Sequence, residues 1–220
     1  MLTDKRTVYK IGTQDPVIKS DPGAGPWNSK MPMPYMVTLK YKILEHLPHA
    51  YLLIGDDAVK HIFHYFNCTG SNYIIDLEGM IDEVHSAKDG YADELNDAKK
   101  FVETLPIGTH HVTTDKASRY YNSKEQSPNW YYATGGYSAW IKGKAEVREN
   151  SGRREFEFEF EYKFQDRYNW DKGKKVRIFG VPVTDDTMGE FHLQGLAREF
   201  DMNGSVKKTI FWNNSPSVRI

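Results

Sequence analysis

The chain has 220 residues, enough for one large domain or two small ones with a substantial core. Charged residues make up 27% of it and the formal net charge is −1, so no basic excess points to nucleic acid as a partner. The aromatic content of 14% excludes a disordered chain and favours strands or a binding surface. Cys68 is the single cysteine, which excludes an internal disulfide.

The N-terminal segment predicts neither a signal peptide nor regular structure. MLTDKRTVYK has no apolar run after its charges, and no stretch of the sequence approaches the roughly 20 apolar residues of a membrane span. Residues 1–40 hold five of the ten prolines, and DPGAGPWNSKMPMPY cannot form a helix or an inner strand. We expect an extended leader or linker here, or a disordered tail.

Residues 41–108 are predicted to be mainly helical. The stretches 58–67 (AVKHIFHYFN) and 89–105 (DGYADELNDAKKFVETL) each place apolar side chains at helical spacing. Pro106 ends the second of these helices. The segment 71–81 (SNYIIDLEGMI) leaves a strand and a helix start equally open.

The region 109–220 is predicted to be rich in β structure. Strand patterns occur in THHVTTD, NWYYATGGYSAWIKGKAEVRE, REFEFEFEYKF, KKVRIFGVPVT (174–184) and GSVKKTIFW, with a hairpin turn at NSGR. The segment 185–200 predicts a late helix. The predicted fold is α+β: a mainly helical N-terminal part, then a curved antiparallel β-sheet or half-barrel with a late helix, residues 41–220 forming one compact unit.

The strand pattern at 155–164 raises the question of a catalytic group. EFEFEFEYKF alternates aromatic and charged residues, so one face is dry and the other is wet. If the strand continues in register, Asp166 and Tyr168 lie on the dry face, where a carboxylate needs a donor, a cation or a cleft. That is the usual situation of a catalytic acid or base. For Asp171 and Gly173, ordinary turn residues are an equal alternative.

Other candidate groups are weaker. The sequence has no nucleotide-binding glycine loop and no GxSxG, and the His61/His64 and His110/His111 pairs lack a third metal ligand. His192 can serve as acid or base near neutral pH, and Arg198 carries a planar cation suited to phosphate. Six residues apart, the two share a site only if the helix end bends around it.

From about His64 to the end, the sequence resembles colicin M, a bacteriocin that destroys the lipid-linked peptidoglycan precursor. The resemblance lies in ordered segments: HYFNCTGSNYIIDLEGM, LPIGTHHVTT, YYATGGYSAWIKGKAEV and a long strand that runs into DRYNWD. DRYNWD resembles the family's Asp-x-Tyr-Asp catalytic motif. Asp166 and Tyr168 fit its first positions, Asn169 stands where the family has an acid, and Asp171 follows two residues later. The family's His-Arg pair is absent from KGKKVRI, so we expect His192 and Arg198 to supply these groups from the helix.

The resemblance implies a phosphoester hydrolase acting on lipid II, between undecaprenol and the pyrophosphate-linked disaccharide peptide. Asp166 would be a general base or a metal ligand, Tyr168 would orient the phosphate, and Arg198 with Lys172 would offset its charge. Mg²⁺ is the implied cofactor, since pyrophosphate binds hard cations. The alternative is a toxin without chemistry that permeabilises the membrane or binds peptidoglycan.

The sequence also resembles toxin domains at the C-terminal ends of type VI secretion effectors, in which DRYNWD and FHLQGLAREFD occur together. This implies a protein that is secreted or injected without a signal peptide and acts in the periplasm of the target bacterium. The implied partners are lipid II, the inner-membrane surface, a secretion-system delivery component and a cognate immunity protein.

A substrate embedded in a membrane requires an apolar or aromatic surface near the site. Trp and Tyr favour the membrane interface, so Tyr137 and Trp140 are predicted to contact substrate, and Trp130, Tyr131 and Tyr132 are further candidates. Packing within the strands is an equal alternative for each of them.

Overall fold

The computed structural model describes residues 7–19, 21–170 and 184–214, and within these ranges the fold is α+β, as predicted. The helices are α1 (Pro34–Ile54), α2 (Asp56–Phe66), α3 (Leu77–Glu83), α4 (His85–Thr104), α5 (Pro128–Ala133) and α6 (Asp185–Leu193). The strands are β1 (Tyr9–Ile11), β2 (Tyr73–Ile74), β3 (Gly108–Thr114), β4 (Ser118–Tyr121), β5 (Gly136–Asn150), β6 (Arg153–Tyr168) and β7 (Phe200–Asn214).

The described strands form one open sheet in the order β1-β3-β5-β6-β7-β2, and β4 pairs with the first residues of β5. All neighbours are antiparallel except β2 and β7, which are parallel. The sheet therefore agrees with the predicted antiparallel β region. No helix in the described ranges has the length and apolar character needed to cross a membrane.

The long β5–β6 hairpin is the centre of the sheet. Its two-residue turn consists of Ser151 (φ 52°) and Gly152 (φ 77°), the pair of positive φ angles that suits the twist of a tight hairpin. Along β6 the predicted alternation is present, because the five aromatic side chains on one face are each at most 4% exposed: Phe156, Phe158, Phe160, Tyr162 and Phe164. These rings form the floor of the hydrophobic core.

Three predictions differ from the structure. Residues 34–40, predicted as part of the extended leader, belong to α1, because Pro34 fits the first turn of a helix. NWYYA, predicted as strand, forms α5, because Ser127 caps the helix by accepting a hydrogen bond from the Trp130 N–H and Pro128 occupies its first turn. The late helix was predicted to reach residue 200, but it ends at Leu193, near Gly195 with its φ of 69°. The open segment 71–81 contains both β2 and α3. The predicted strand 174–184 lies almost entirely outside the described residues.

The proline-rich leader packs on the rest of the molecule. β1 pairs with β3, and the Tyr9 hydroxyl donates a 2.6 Å hydrogen bond to the buried Glu94 carboxylate of α4. Further along, the backbone N–H groups of Asn28 and Lys30 donate to carbonyl groups at the end of α6. The leader thus covers the connection between α6 and β7.

Candidate active site

A cleft of about 390 Å³ opens where β5 and β6 separate. The β5–β6 ladder ends at the pair Ser138–Gln165, whereas β6 continues to Tyr168 in pairing with β7 alone. The last residues of β6 and the junction between α5 and β5 (133–136) both line the opening. The site therefore arises from two long strands that stop pairing with each other before either has ended.

Asp166 lies in this cleft, on the continuation of the aromatic side of β6. It is partly exposed, and its partner position on β7 is Met202. A second carboxylate, Asp185, lines the same cleft from the first turn of α6, whose N-terminus Thr184 caps by accepting a hydrogen bond from the Thr187 N–H. Two carboxylates from different elements thus reach one opening.

Tyr168 is fixed by aromatic packing. Its ring stacks on Phe200 with centroids 4.9 Å apart and meets the rings of Trp170 and Tyr65 edge-on. The Tyr168 hydroxyl is buried and has no hydrogen-bond partner among the described residues. Burial and then the charge of Asp185 raise its pKa, so the hydroxyl stays protonated. A buried donor without a partner is costly, and a phosphate oxygen entering the cleft would satisfy it.

Asn169, the third position of the motif, also lines the cleft. Asp171 and Lys172 lie outside the described residues. The structure therefore brings together Asp166, Tyr168 and Asn169 from the sequence-predicted set.

His192 lies apart from the lining of the cleft. Its ring is buried, with Nδ1 accepting a hydrogen bond from the Glu199 N–H at 3.0 Å and Nε2 2.9 Å from the Gly25 carbonyl oxygen. An acceptor Nδ1 places the proton on Nε2, which donates to Gly25. Both ring nitrogens are therefore engaged with the backbone.

Arg198 is also outside the cleft lining. Its guanidinium stacks on the Trp27 ring at 4.5 Å and donates to the Thr69 carbonyl oxygen at 3.2 Å. The predicted roles of Arg198 and His192 in catalysis stay predictions.

The two aromatic residues predicted to bind substrate are buried in the sheet. Tyr137 packs between Tyr120 and Phe164, with centroids 5.8 and 5.0 Å away. The Trp140 indole N–H donates to Asp15 of the leader at 3.0 Å. Both lie on β5, which is an inner strand of the sheet. The core covers one face of this strand, and the leader covers the other face near Trp140. Neither residue lines the cleft.

Three lining residues had no signal in the sequence as we interpreted it. Arg119 and Tyr121 alternate on β4, and Asp185 lies in the first turn of α6, the predicted late helix. The period-2 spacing of Arg119 and Tyr121 could have placed them on one strand face, but only the pairing of β4 with β5 brings that face to the cleft.

The described residues contain no group of three or more His, Cys, Asp or Glu side chains arranged to hold a metal. In phosphate sites, however, Mg²⁺ commonly takes only one or two carboxylates and completes its shell with substrate oxygens and water. Asp166 and Asp185 supply oxygen donors of that kind in the cleft. The donor chemistry fits an ion that enters with a pyrophosphate.

Comparison with known proteins finds no matching family model and no match among curated proteins. Among solved structures, the chain is similar to truncated bacteriocin syringacin M from Pseudomonas syringae pv. tomato, with 16% sequence identity and a TM-score of 0.37. The alignment covers 71% of this chain and 60% of syringacin M. It is also similar to PaeM, a colicin M-like bacteriocin produced by Pseudomonas aeruginosa, with 13% sequence identity and a TM-score of 0.38. That alignment covers 73% of this chain and 53% of PaeM.

These solved structures are bacteriocins of the type that the sequence resembles. The chain spans 60% and 53% of their lengths. At such TM-scores the similarity carries no argument about the site, so the functional proposal depends on the cleft and on the sequence motif.

Proposed function

We propose that this domain is an antibacterial toxin that hydrolyses the phosphoester bond between undecaprenol and the pyrophosphate-linked disaccharide peptide of lipid II. One observation carries the proposal: Asp166 continues the aromatic face of β6 into a cleft that also contains Tyr168, whose buried hydroxyl lacks a partner in the described chain. The resemblance of DRYNWD, which contains both residues, to the Asp-x-Tyr-Asp motif supports the substrate class.

In the proposed reaction, Asp166 takes a proton from a water molecule, whose oxygen attacks the phosphorus bound to undecaprenol. The phosphorus–oxygen bond to the lipid breaks, and undecaprenol leaves with a proton. The Tyr168 hydroxyl donates a hydrogen bond to a phosphoryl oxygen, where negative charge develops. Asn169 can hold the same group through its amide.

In the alternative in which Asp166 is a metal ligand instead of the base, Asp166 and Asp185 would hold a Mg²⁺ ion, which would supply charge neutralisation at the phosphoryl group. The Tyr168 hydroxyl then has the separate task of orientation, because the ring packing leaves it little freedom. The predicted role of Lys172 and Arg198, which is to offset the negative charge of the phosphate, belongs to the same proposal.

His192 is the candidate proton donor to undecaprenol. Its Nε2 hydrogen is now directed at the Gly25 carbonyl oxygen. For His192 to act, the leader around Gly25 has to move away from it, so the proposal couples this role to a leader displacement.

Delivery by a secretion system, action in the periplasm at the inner-membrane surface and protection by a cognate immunity protein complete the proposal. These three parts are supported by the resemblance to type VI effector toxin domains.

The test is direct hydrolysis. Purified protein is incubated with lipid II and Mg²⁺, with and without EDTA, beside Asp166→Asn and the control Asp82→Asn, an exposed aspartate of α3. We expect undecaprenol and a pyrophosphorylated disaccharide peptide from the wild type and the control, and a loss of at least ~100-fold in Asp166→Asn.

Intact lipid II in every reaction, from folded protein that still kills when directed to the periplasm, would refute the proposal. If Asp166→Asn also kills as well as the wild type, the alternative of a membrane-permeabilising or peptidoglycan-binding toxin gains support.

A further inference from the structure

Tyrosines form one wall of the cleft. Tyr121 ends β4, while Tyr131 and Tyr132 lie in α5, and all three line the opening. The Tyr131 ring meets Tyr121 and Tyr132 edge-on, with centroids 6.1 and 4.9 Å apart. Tyr121 is nevertheless 57% exposed. The wall therefore offers aromatic surface to a ligand in the cleft.

Short polar links hold this wall in place. The Asn122 side-chain amide donates to Thr134 Oγ1 at 2.9 Å, and the Asn122 backbone N–H donates to the Gly135 carbonyl oxygen at 2.9 Å. These bonds join the residue after β4 to the residues after α5. Tyr121 and the α5 tyrosines are thus positioned relative to each other before any ligand binds, which lowers the entropy cost of binding.

Arg119 places a cation beside the tyrosines. It lies two residues before Tyr121 on β4 and also lines the cleft. Its Nη1 donates to the buried Ser138 Oγ at 2.9 Å, and Ser138 is the β5 partner of both Arg119 and Gln165, the residue before Asp166. A guanidinium held in this way suits a phosphate group.

The lining has little surface for a lipid tail. Among its described residues, aliphatic side chains come only from Ile18 and Ala133, and the rest are aromatic, charged, hydroxyl or amide groups and glycines. A polyprenyl chain gains binding free energy mainly by burying its apolar surface. Tyrosine instead combines a ring face for the C–H groups of a sugar with a hydroxyl for hydrogen bonding.

We propose that Arg119 and the tyrosine wall of Tyr121, Tyr131 and Tyr132 bind the sugar-phosphate part of the substrate. The domain would then select a sugar-linked pyrophosphate over a bare polyprenyl pyrophosphate, with the lipid tail left outside the cleft. This inference rests on the proposed function, and it assigns recognition to residues other than the catalytic motif.

Binding can be measured without turnover. Asp166→Asn protein is titrated with N-acetylglucosamine 1-phosphate, with N-acetylglucosamine and with inorganic phosphate, by calorimetry. We expect the sugar phosphate to bind at least tenfold more tightly than either part. Tyr121→Ala and Tyr132→Ala should each reduce its affinity toward that of phosphate, and Arg119→Gln toward that of the sugar.

Turnover gives the second measurement. The ratio of kcat/KM for lipid II to that for undecaprenyl pyrophosphate should fall at least tenfold in Tyr132→Ala and remain near that of the wild type in Tyr41→Ala, an exposed tyrosine of α1. Tyr121→Ala should lower this ratio in the same way and serves if Tyr132→Ala does not fold. Tyr132→Phe keeps the ring and should retain most of the selectivity.

The two proposals fail separately. Tyrosine-dependent sugar-phosphate binding without any lipid II hydrolysis supports the subsite and overturns the proposed reaction. Lipid II hydrolysis whose selectivity is unchanged in Tyr121→Ala, Tyr132→Ala and Arg119→Gln overturns the subsite and leaves the reaction standing.

Discussion

At the scale of single residues, Glu199 connects three segments around the cleft. Its side chain is fully buried, and Oε1 accepts hydrogen bonds from the Ala24 N–H at 2.9 Å and the Trp170 N–H at 3.2 Å. Arg167, which lines the cleft, has its guanidinium 3.8 Å from Oε2. The leader, the end of β6 and the start of β7 therefore meet at one carboxylate.

We expect Glu199→Ala to lower the free energy of unfolding by about 3 kcal/mol, because the variant leaves the part-buried Ala24 and Trp170 N–H groups without their acceptor and removes the buried carboxylate beside Arg167. Urea denaturation followed by circular dichroism measures the change. Glu155→Ala, at an exposed position of β6, should change stability by less than about 0.5 kcal/mol. Equal midpoints for Glu199→Ala and the wild type would contradict this assignment.

His61 gives the fold a dependence on pH. Its buried ring lies against α5, with Nδ1 2.8 Å from the Ala133 carbonyl oxygen. Burial lowers the His61 pKa to about 4, although the hydrogen bond to Ala133 opposes the shift. The unfolded chain takes up this proton near pH 6.5 and the folded chain only near pH 4, so stability is full above pH 6.5 and is lost as pH falls toward 4.

The wild type should thus lose about 2 kcal/mol of stability through His61 between pH 7.5 and pH 5. Urea titrations at the two pH values measure the loss. His61→Gln should remove that part of the pH dependence, whereas His85→Gln, at an exposed site, should keep it. Parallel pH profiles for the wild type and His61→Gln would exclude His61 as the cause.

At the scale of elements, the β5–β6 hairpin depends on its two-residue turn. We expect Gly152→Ala to destabilise the protein by about 1 kcal/mol, because its φ of 77° is unfavourable for a residue with a Cβ atom. Ser151→Asn should be neutral or slightly stabilising, since asparagine tolerates positive φ. Chemical denaturation of both variants measures the pair, and a Gly152→Ala as stable as the wild type would argue against the turn geometry.

The elements that sequence analysis predicted well are those with local signals. The alternation in β6 and the turn at NSGR are each contained in a short segment, so they can be predicted without knowledge of tertiary contacts. α5 was missed because the strand preference of Trp130 and its neighbouring tyrosines outweighed the helix-start signal of Ser127 and Pro128. The end of α6 was misplaced because Phe200 pairs with Tyr168, a contact that no local pattern encodes.

At the scale of the whole molecule, the leader is part of the folded body. Asp15 accepts hydrogen bonds from Trp140 and Lys163 on the sheet, and Ala24 is bound by Glu199. We expect removal of residues 1–33 to lower the midpoint of thermal unfolding by about 10 °C or more, because these contacts and β1 are lost. Thermal denaturation measures it, and an unchanged midpoint would show that the leader contributes no stability.

The positions of the site residues likewise divide into those that local sequence predicts and those that depend on long-range contacts. The parity of β6 directs Asp166 and Tyr168 to one face, and that much is contained in ten residues of sequence. Whether His192 lies in the cleft or under the leader depends on contacts with Gly25, 167 residues away in the chain. Tyr137 is buried in the core on one face of β5, and Trp140 is covered near Asp15 of the leader on the other face. A single strand pattern reveals neither contact.

The tight hairpin also has a kinetic consequence. Its strands pair residues 138–150 with 153–165 across a minimal loop, so closing it costs little chain entropy, whereas β1 must find β3 with Lys10 opposite Thr113. During refolding, we expect the hairpin to form early and the leader to dock late. A chain threaded unfolded through a membrane would therefore pass through an interval in which the central strands are assembled, while the rim of the cleft at Lys19 and Asp21 is still absent.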